Sequence, residues 1–410
     1  MADDCMNILL FSNLYPPVVS GSSMQTCALA SALAGQGCQV TVITTKLEDD
    51  APDHEEIDGV HVYRLPCIRL PQADIALNFP WLNITFTPGN QRRIDEIIAQ
   101  RQPDVLHLHN HMFDLGFSAV RAARRWKLPL ALTIHTIIQH PVGLYNLLLY
   151  PLDRGLMKLA VVRHADVIIC PERTTWEYME EGFRMDNLVL IPYGINSPPR
   201  QSAARVEEVR RKYQLPKGPI ILSLGHLHEV RNRHDLVRAM PFIIQKYPDA
   251  VLVIAGSVGT PSTGALARQL GVEKSVIFTG AVAHNETLAL LQMASLEAHW
   301  FQQKDNPQTR TLGIAALEAM SAGKAVLNTA DENIYGEGVL TDGQNYLQVR
   351  LNEPEKTAQK VLVLLDDPAE CTRIGQAARQ TIEENFSWPQ VVSRTMDIYR
   401  QMATRTYSNF

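Results

Sequence analysis

The amino-acid sequence predicts an α/β protein with two doubly wound, Rossmann-like domains. The chain has 410 residues, a length that favours two or three compact units, each with its own hydrophobic core. Short apolar runs of strand length alternate with segments of helical period, which is typical of a buried parallel sheet covered by helices. The alternation is interrupted by a Pro-rich stretch and then begins again, which predicts a second domain of the same class.

Seven apolar runs predict the strands of the first domain, at residues 8–11, 40–44, 60–65, 105–108, 130–134, 167–170 and 188–191. The turn-rich stretch 192–200 follows as the linker. The second series predicts strands at residues 220–224, 251–254, 276–278, 296–300 and 325–328, of which 296–300 has the weakest signal. A last helical segment is expected at about 390–404. We therefore expect an N-terminal domain over 1–195, a C-terminal domain over 196–386 and a terminal helix within 387–410.

The composition is that of an ordinary globular protein. Hydrophobic residues make up 46% and charged residues 20% of the chain, which excludes a disordered, collagen-like or coiled-coil protein. The 38 Lys and Arg against 43 Asp and Glu give a net charge of −5, which argues against nucleic acid as a partner. The six cysteines contain no CxxC pair, so neither a zinc site nor a disulfide framework is expected.

No part of the sequence reads as a targeting or membrane-spanning segment. The N-terminal stretch MADDCMNILLFSN begins with acidic residues and has too short an apolar run for a signal peptide. No later run reaches the length that crosses a bilayer. We therefore expect a cytoplasmic enzyme.

Two features of the first domain are candidates for ligand contact. Ser20 and Gly21 stand just before the helical segment 24–34, where serine can cap the helix and glycine lets the backbone approach an anion. His107, His109 and His111 at the end of one predicted strand, and His135 at the end of another, lie at the edge where ligands bind in such sheets. Alternate strand residues are expected to face opposite sides, and no carboxylate or cysteine completes a ligand set. Packed, hydrogen-bonded histidines are therefore favoured over a metal site.

The second domain offers two loops of the same kind. Its first strand is followed by the basic loop 225–233, whose two arginines and two histidines could neutralise a diphosphate. A solvated basic loop is an equally good interpretation. The stretch 310–320 reads as a loop entering an apolar helix, with backbone amides open near residues 312–314. The carboxylate of Glu318 is costly on so apolar a segment unless ligand hydroxyls pair with it.

Taken in order, these motifs resemble the GT-B glycosyltransferases of family 4, a retaining family. The matching segments run through nearly the whole chain, at residues 15–21, 37–44, 103–109, 133–135, 163–169, 223–225, 278–280, 317–323 and 386–388. The resemblance implies two domains facing a central cleft, with the terminal helix crossing back onto the N-terminal domain. It also implies a nucleotide-sugar donor in the C-terminal domain and an acceptor in the N-terminal domain.

The resemblance further assigns roles to individual residues. His135 would lie beside the donor sugar at the reaction centre, and His109 would lie nearer the acceptor. The donor site would be formed by a larger set, namely Ser20, Gly21, Gly225, His226, Arg231, Val282, Arg310, Thr311, Leu312, Gly313, Ile314 and Glu318. Within it, Glu318 would hold the ribose hydroxyls, Val282 the base through its backbone, and the amides of Gly313 and Ile314 the phosphates.

Three donor-site positions depart from the family pattern. His226 stands where the family has arginine, Arg231 stands where it has lysine, and Arg310 replaces the first glutamate of an E-x7-E pair whose second member is Glu318. Arg231 and Arg310 still supply cations for a diphosphate. Since a guanidinium only donates hydrogen bonds and a carboxylate only accepts them, we expect Arg310 either to reach the diphosphate or to read an unusual or anionic sugar.

The sequence contains no D-x-D motif, and the resemblance implies retaining transfer that needs neither metal nor another cofactor. A UDP-sugar is the preferred donor, on family frequency alone, and the acceptor is a hydroxyl of a glycoconjugate, a lipid-linked glycan or a secondary metabolite. The apolar stretches 75–87 and 137–159 could contact a lipid-linked acceptor, but packing against the core is the favoured interpretation. Without a basic amphipathic helix, peripheral membrane contact has no support.

Two other classes of function stay open on the sequence. A catalytically degenerate relative that binds a nucleotide or a partner protein is suggested by the altered positions 226, 231 and 310. A GT-B sugar phosphorylase or epimerase is the other alternative, and phosphorylase action would require inorganic phosphate in place of the nucleotide.

Overall fold

The computed structural model describes residues 6–18, 20–69, 83–138, 143–227, 231, 233–257, 261–302 and 310–408. The chain divides into two compact units, one formed by Met1–Gly194 with Trp388–Phe410 and the other by Ile195–Ser387. No helix in these described ranges is both long enough and apolar enough to cross a membrane.

The strands of the first unit are β1 (Asn7–Ser12), β2 (Gln39–Thr45), β3 (His54–Ile57), β4 (Val60–Leu65), β5 (Ile68–Arg69), β6 (Asn83–Ile84), β7 (Val105–His109), β8 (Leu130–Thr133), β9 (Val167–Cys170) and β10 (Leu188–Leu190). The strands of the second unit are β11 (Ile220–Leu224), β12 (Val251–Ala255), β13 (Val276–Gly280), β14 (Leu296–Ala298), β15 (Ala325–Asn328) and β16 (Leu347–Gln348).

The helices are α1 (Gly21–Gly35), α2 (Pro88–Arg101), α3 (Leu115–Trp126), α4 (Gly143–Tyr150), α5 (Lys158–Ala160), α6 (Arg173–Glu177), α7 (Ala203–Lys212), α8 (His234–Lys246), α9 (Ser262–Gln269), α10 (His284–Met293), α11 (Ile314–Ser321), α12 (Pro354–Asp366), α13 (Pro368–Asn385) and α14 (Trp388–Ser408). A π-helical stretch, Pro151–Met157, joins α4 to α5, and another, Tyr178–Gly182, continues α6.

Each unit is built on a mainly parallel sheet. The first has the order β10-β9-β8-β7-β1-β2-β4-β3, in which only β3 is antiparallel to its neighbour among the described strands. The second has the order β13-β12-β11-β14-β15-β16 and is parallel throughout its described pairs. Every strand expected from the apolar runs is confirmed. The doubly wound α/β class is therefore confirmed in both units.

The sequence pattern missed the edge strand β3. Its four residues, His-Glu-Glu-Ile, alternate between exposed and half-buried and contain a single apolar side chain. Only Ile57 of this strand packs against the core, and a single apolar residue makes no apolar run, because only the buried face selects for hydrophobic residues. The strands β5, β6 and β16 were missed because each has only two residues.

The terminal helix α14 completes the core of the first unit. Its Met396, Tyr399 and Met402 are buried, and they belong to the same hydrophobic cluster as Leu29 and Leu33 of α1. Removing α14 would therefore expose an apolar face of the first unit, although the helix follows the second unit in the chain.

Candidate functional site

The second sheet has a topological switch point between β11 and β14. These strands are neighbours that pair at Leu222 and Glu297, while the connection after β11 leads to β12 on its other side. Ligands of open α/β sheets bind at the carboxyl ends of the strands that flank such a point. The loops that follow β11 and β14 are the two loops that the sequence marked as candidates.

The loop after β11 starts with a close approach of two backbones. Gly225 has a φ of +107° and donates its amide to the carbonyl of Ala255 at 2.9 Å. Gly256 has a φ of +153°, and a Cβ at this position would collide with the carbonyl oxygen of Gly225. Glycine is needed at 256 for both reasons, and the backbone of residue 225 is thereby held in place.

The buried side chain of Arg233 also holds the loop after β11 in place. Its side chain is 1% exposed, and its guanidinium donates to Ser223 Oγ at 3.0 Å and to the carbonyls of Leu224 at 2.7 Å and Gly225 at 3.2 Å. It also donates to the carbonyls of His226 and Arg231. Burial lowers the pKa of Arg233 to about 10. Of the two arginines expected to neutralise a diphosphate, this one is committed to the backbone instead.

Arg231 is the second arginine of this loop, and it is half-buried. Its guanidinium carbon lies 4.3 Å from the centre of the Phe301 ring, and its buried Nε has no hydrogen-bond partner in the described part of the chain. Burial lowers the pKa of Arg231, so the charge is incompletely solvated and favours an anionic ligand. His226 Nδ1 contacts Ser257 Oγ. His228 lies outside the described residues.

The loop before α11 ends in an open turn. Thr311 and Leu312 are buried, Gly313 has a φ of +75°, and α11 begins at Ile314. The first amides of an α-helix have no partner within the helix and form a favourable place for an anion. The turn can therefore bind a phosphate through its backbone, as the sequence predicted for Gly313 and Ile314.

Arg310 is paired with a carboxylate. Its Nε lies 2.6 Å from Asp331 Oδ2, both side chains are 39% exposed, and the amide of Asp331 donates to the Arg310 carbonyl at 3.1 Å. The positive charge that the sequence offered to a ligand is therefore already balanced within the protein. Any ligand at this position meets an arginine and an aspartate together.

Glu318 has the character expected of a ligand-binding carboxylate. It is half-buried on α11, and no hydrogen-bond partner of its side chain is found among the described residues. Burial raises the pKa of Glu318, and the charge of His284 at the start of α10 acts in the opposite direction. Val282, in the loop before α10, packs partly buried against the core of the unit. The residues expected at ribose and base therefore lie on neighbouring segments.

In the first unit, Ser20 caps α1 as expected. Its Oγ accepts the amide of Ser23 at 3.1 Å, while Ser23 Oγ receives the amide of Ser20 at 2.8 Å. The space where a Cβ of Gly21 would lie has no protein atom within 4 Å. The serine therefore has a structural role, and the glycine leaves the helix N-terminus open.

His109 and His135 belong to one hydrogen-bonded chain. His109 Nδ1 lies 2.9 Å from His135 Nε2, and His135 Nδ1 lies 3.0 Å from the hydroxyl of Tyr193. The His135 and Tyr193 rings are stacked, with centroids 5.6 Å apart. These side chains line a cavity of about 30 Å³ in the first unit, and buried His109 Nε2 has no hydrogen-bond partner among the residues that the structure describes.

His107 and His109 share one side of β7, with ring centroids 4.2 Å apart. The expectation that alternate residues face opposite sides was wrong, because residues i and i+2 of a strand share a face. His107 bonds through Nδ1 to the hydroxyl of Tyr399 at 2.6 Å and through Nε2 to Thr133 Oγ1 at 2.7 Å. Packed, hydrogen-bonded histidines are what the structure contains here.

Burial keeps these histidines neutral at pH 7. It lowers the pKa of His107 to about 3 and that of His135 to about 4, and it also lowers the pKa of His109 well below its usual range. The three rings therefore act as neutral donors or acceptors of hydrogen bonds. No group of three or more His, Cys, Asp or Glu in the described ranges is arranged to hold a metal ion.

The stretch 137–159 differs from its expected packing against the core. Asp153 and Met157 are buried in it, but five leucines are exposed by 40–74% of their surface: Leu147, Leu148, Leu152, Leu156 and Leu159. The interpretation as core packing is wrong for this set, which we call the leucine stripe. It is an apolar surface on the outside of the first unit. Of the stretch 75–87, residues 75–82 lie outside the described residues.

Sequence reasoning missed several residues around both candidate regions. Tyr193 and Gly256 carry no motif of their own, and their contacts come from distant parts of the chain. Glu172, in the loop after β9, accepts from Thr174 Oγ1 at 2.7 Å, and burial raises its pKa to about 7. A glutamate two residues after the end of an apolar strand was a signal that the sequence offered.

Comparisons with known proteins identify the family of both halves of the chain. A model of glycosyltransferase family 4 matches residues 19–197, and a model of glycosyl transferases group 1 matches residues 205–381. Glycogen synthase of Mycobacterium tuberculosis is 27% identical, over 96% of this chain and 94% of that protein. Alpha-monoglucosyldiacylglycerol synthase of Streptococcus pneumoniae is 26% identical, over 82% of this chain and 74% of that protein.

A solved structure gives the same result for the fold. Anabaena Alr3699/HepE in complex with UDP superposes with a TM-score of 0.70 at 15% identity, covering 97% of this chain and 100% of that chain. The two matched models together account for both units, in the order that the sequence motifs predicted. The chain is therefore a member of the GT-B glycosyltransferases, with family 4 and group 1 halves.

Proposed function

We propose that this protein transfers a sugar from a nucleoside diphosphate sugar, with UDP as the preferred nucleotide, to a hydroxyl acceptor. The observation that carries the proposal is Glu318, a half-buried carboxylate without a described partner, on the helix whose N-terminus presents the open amides of Gly313 and Ile314. Such a carboxylate is stabilised by the two hydroxyls of a ribose. The amides at the other end of the first turn suit a phosphate.

The leaving group is stabilised by Arg231 and by the dipole of α11. As the bond from the anomeric carbon to the diphosphate breaks, negative charge grows on the phosphate oxygens, and fixed cations and amides lower the barrier. We propose retaining transfer, in which the acceptor attacks from the face of the leaving group and a phosphate oxygen takes its proton. No metal is required in this scheme, since the charge is balanced by the protein.

His135 acts as a neutral hydrogen-bond partner of the transferred sugar. With a pKa of about 4, it is not the imidazolium that a general acid at pH 7 would have to be. Its Nδ1 is engaged by Tyr193 and its Nε2 by His109, so one of these bonds is exchanged for a sugar hydroxyl on binding. His109 is proposed nearer the acceptor, and Gly21 leaves room for the donor at the start of α1.

The Arg310 and Asp331 pair is proposed to read the donor sugar. A carboxylate that accepts from sugar hydroxyls is missing at position 310, but Asp331 supplies one beside the guanidinium. The pair offers both a donor and an acceptor, which suits a sugar with an additional polar or anionic substituent.

Among the acceptor classes left open by the sequence, the leucine stripe favours a lipid-linked one. Five exposed leucines on consecutive turns form a surface that water solvates poorly. Co-sedimentation with phosphatidylglycerol and phosphatidylcholine vesicles tests this point. Binding that is abolished by Leu148→Glu with Leu156→Glu supports a membrane-borne acceptor, and the absence of wild-type binding returns the choice to a small-molecule acceptor.

A thermal-shift panel of UDP, GDP, ADP, TDP and inorganic phosphate tests the proposal as a whole. Stabilisation by one nucleoside diphosphate supports transfer from its sugar. Stabilisation by phosphate alone would indicate a phosphorylase, and no response at millimolar concentrations would contradict the proposal. Sugars linked to the remaining nucleoside diphosphates of the panel then serve as controls for the donor that the panel selects.

Product analysis separates the enzyme from a degenerate relative. The coupling constant of the anomeric proton in the product reports retention or inversion, and activity in excess EDTA reports the need for a metal. Nucleotide binding without any transfer, hydrolysis or exchange of the matched donor would favour the degenerate alternative. A cytoplasmic location stays an expectation from the sequence.

A further inference from the structure

The end of β14 carries a buried acid and a buried histidine that the proposed function does not use. Glu297 is fully buried and His299 is 4% exposed. They stand two residues apart and therefore share one face of the strand. A buried carboxylate is costly unless it is paired and hydrogen-bonded, so its partners are informative.

Glu297 uses one oxygen for two donors. Its Oε1 accepts from His299 Nδ1 at 2.6 Å and from the amide of Leu224 at 3.4 Å. Its other oxygen, Oε2, has no partner within the described residues. The charge of Glu297 also offsets the effect of burial on the pKa of Arg233. This carboxylate is therefore placed at the switch point between β11 and β14, beside the arginine that holds the loop after β11.

The short bond to Glu297 fixes the tautomer of His299. Because an ionised carboxylate only accepts hydrogen bonds, Nδ1 carries a proton and Nε2 is the ring nitrogen left for a ligand. Asn328 Nδ2 donates to the His299 carbonyl at 2.6 Å and to the Leu312 carbonyl at 3.3 Å. One side chain thus fixes the backbone of His299 relative to the loop before α11.

His299 Nε2 points to the open turn at Gly313. It lies 3.6 Å from the position that a Cβ of Gly313 would occupy, and no hydrogen-bond partner for it is found in the described part of the chain. A polar atom of a side chain this deeply buried, directed at a helix N-terminus, indicates a ligand that the protein itself does not provide.

We propose that His299 binds a phosphate of the donor through Nε2–H, that in this complex the ring carries a second proton beside the one on Nδ1, and that Glu297 is the residue that positions it. The inference rests on the proposed function. Arg310 is already balanced by Asp331 and Arg233 is committed to backbone carbonyls, so of these three described arginines Arg231 is the one left to face a diphosphate of at least two negative charges. An imidazolium held by Glu297 supplies a second cation at the N-terminus of α11.

The arrangement also explains why the acid is buried rather than exposed. A carboxylate at this depth stabilises the protonated ring without competing for the phosphate, since the imidazole stands between them. Within the described residues, Glu297 is the charged group bonded to the His299 ring, and the charge of Glu297 also acts on Arg233 in the loop after β11. The phosphate completes a series of alternating charges.

The test compares the affinities of UDP and uridine for the wild type and variants. Isothermal titration calorimetry measures UDP, and ligand-observed NMR measures uridine. His299→Gln is expected to weaken UDP binding about tenfold or more, since a charge-assisted hydrogen bond is lost, and to leave uridine binding within about twofold. Glu297→Gln is expected to weaken UDP binding less, and the double variant no further than His299→Gln. His54→Gln, an exposed histidine of β3, is the matched control.

The outcomes separate this inference from the proposed function. If the wild type binds neither UDP nor another nucleoside diphosphate of the panel, both are overturned. If the wild type binds UDP and His299→Gln binds it equally well, or loses UDP and uridine affinity alike, only the role of His299 is overturned. Should the variants not fold, the wild type labelled with ¹⁵N-histidine decides: UDP must shift the His299 Nε2 resonance and uridine must not, and equal spectra contradict the proposal.

Discussion

Replacing Arg233 by lysine tests whether this arginine holds the loop or binds the ligand. All five N–H groups of its guanidinium meet acceptors, namely Ser223 Oγ and four backbone carbonyls. A lysine has three donors at a single point, so at least two of these five acceptors lose their partner. At about 1–3 kcal/mol for each unsatisfied group, Arg233→Lys should cost roughly 2–6 kcal/mol of stability.

Differential scanning calorimetry of the full chain measures this effect. For a unit of 150–250 residues, about 2–4 °C of melting temperature corresponds to 1 kcal/mol, so the second unit should melt roughly 4–24 °C lower. Arg238→Lys is the matched control, because Arg238 is a 42% exposed partner of Asp235 on the neighbouring helix and should change stability by less than about 0.5 kcal/mol. A normal melting temperature for Arg233→Lys, together with lost UDP affinity, would refute our reasoning and make Arg233 a ligand.

Four further predictions follow from the two candidate regions. Glu318→Gln should weaken nucleoside diphosphate binding about 10- to 100-fold through the lost charge-assisted bonds to ribose, with calorimetry as the measurement and an unchanged affinity as the contrary result. Asp153→Asn should lower stability by about 3–5 kcal/mol in thermal scans, because buried His111 Nε2 and the Tyr178 hydroxyl both bond to this carboxylate. Burial raises the pKa of Glu172 from 4.5 to about 7, so proton binding by Glu172 stabilises the folded state fully at a pH below 4.5. This contribution is lost as the pH rises from there through about 7. The melting temperature of the wild type should therefore fall relative to that of Glu172→Gln between pH 5 and 8, and parallel curves would contradict the assignment. His135, with a pKa of about 4, should give no inflection in kcat/KM between pH 6 and 8 through its own titration, and an inflection that His135→Gln removes would show the opposite.

The fold could be predicted from the sequence because the apolar pattern of its strands is strong and local. A buried parallel strand must be apolar on both faces, so runs such as 220–224 and 251–254 were found. The same argument explains why the sequence did not predict β3, which has three polar residues and a single apolar residue. Ser20 could also be assigned as a helix cap from its neighbours alone, since capping depends on residues within one turn.

The site could be predicted only in part, because the type of a residue does not determine the direction of its side chain. Arg231 and Arg233 look equivalent in the basic loop 225–233, yet one is stacked on Phe301 and the other is bonded to carbonyls beneath the loop. The partner of Arg310 lies on a segment 21 residues away. Glu297 and His299 were read as part of a weak strand, since two polar residues weaken its apolar signal.

The position of α14 has a consequence for how the protein is made. The ribosome completes the continuous second unit, Ile195–Ser387, before it reaches the helix that covers Leu29 and Leu33. The apolar surface of the first unit therefore stays exposed while the second unit is synthesised. It is covered only after α14 has been made and Tyr399 bonds to His107. During translation, this is the interval in which the chain is most exposed to aggregation and to chaperones.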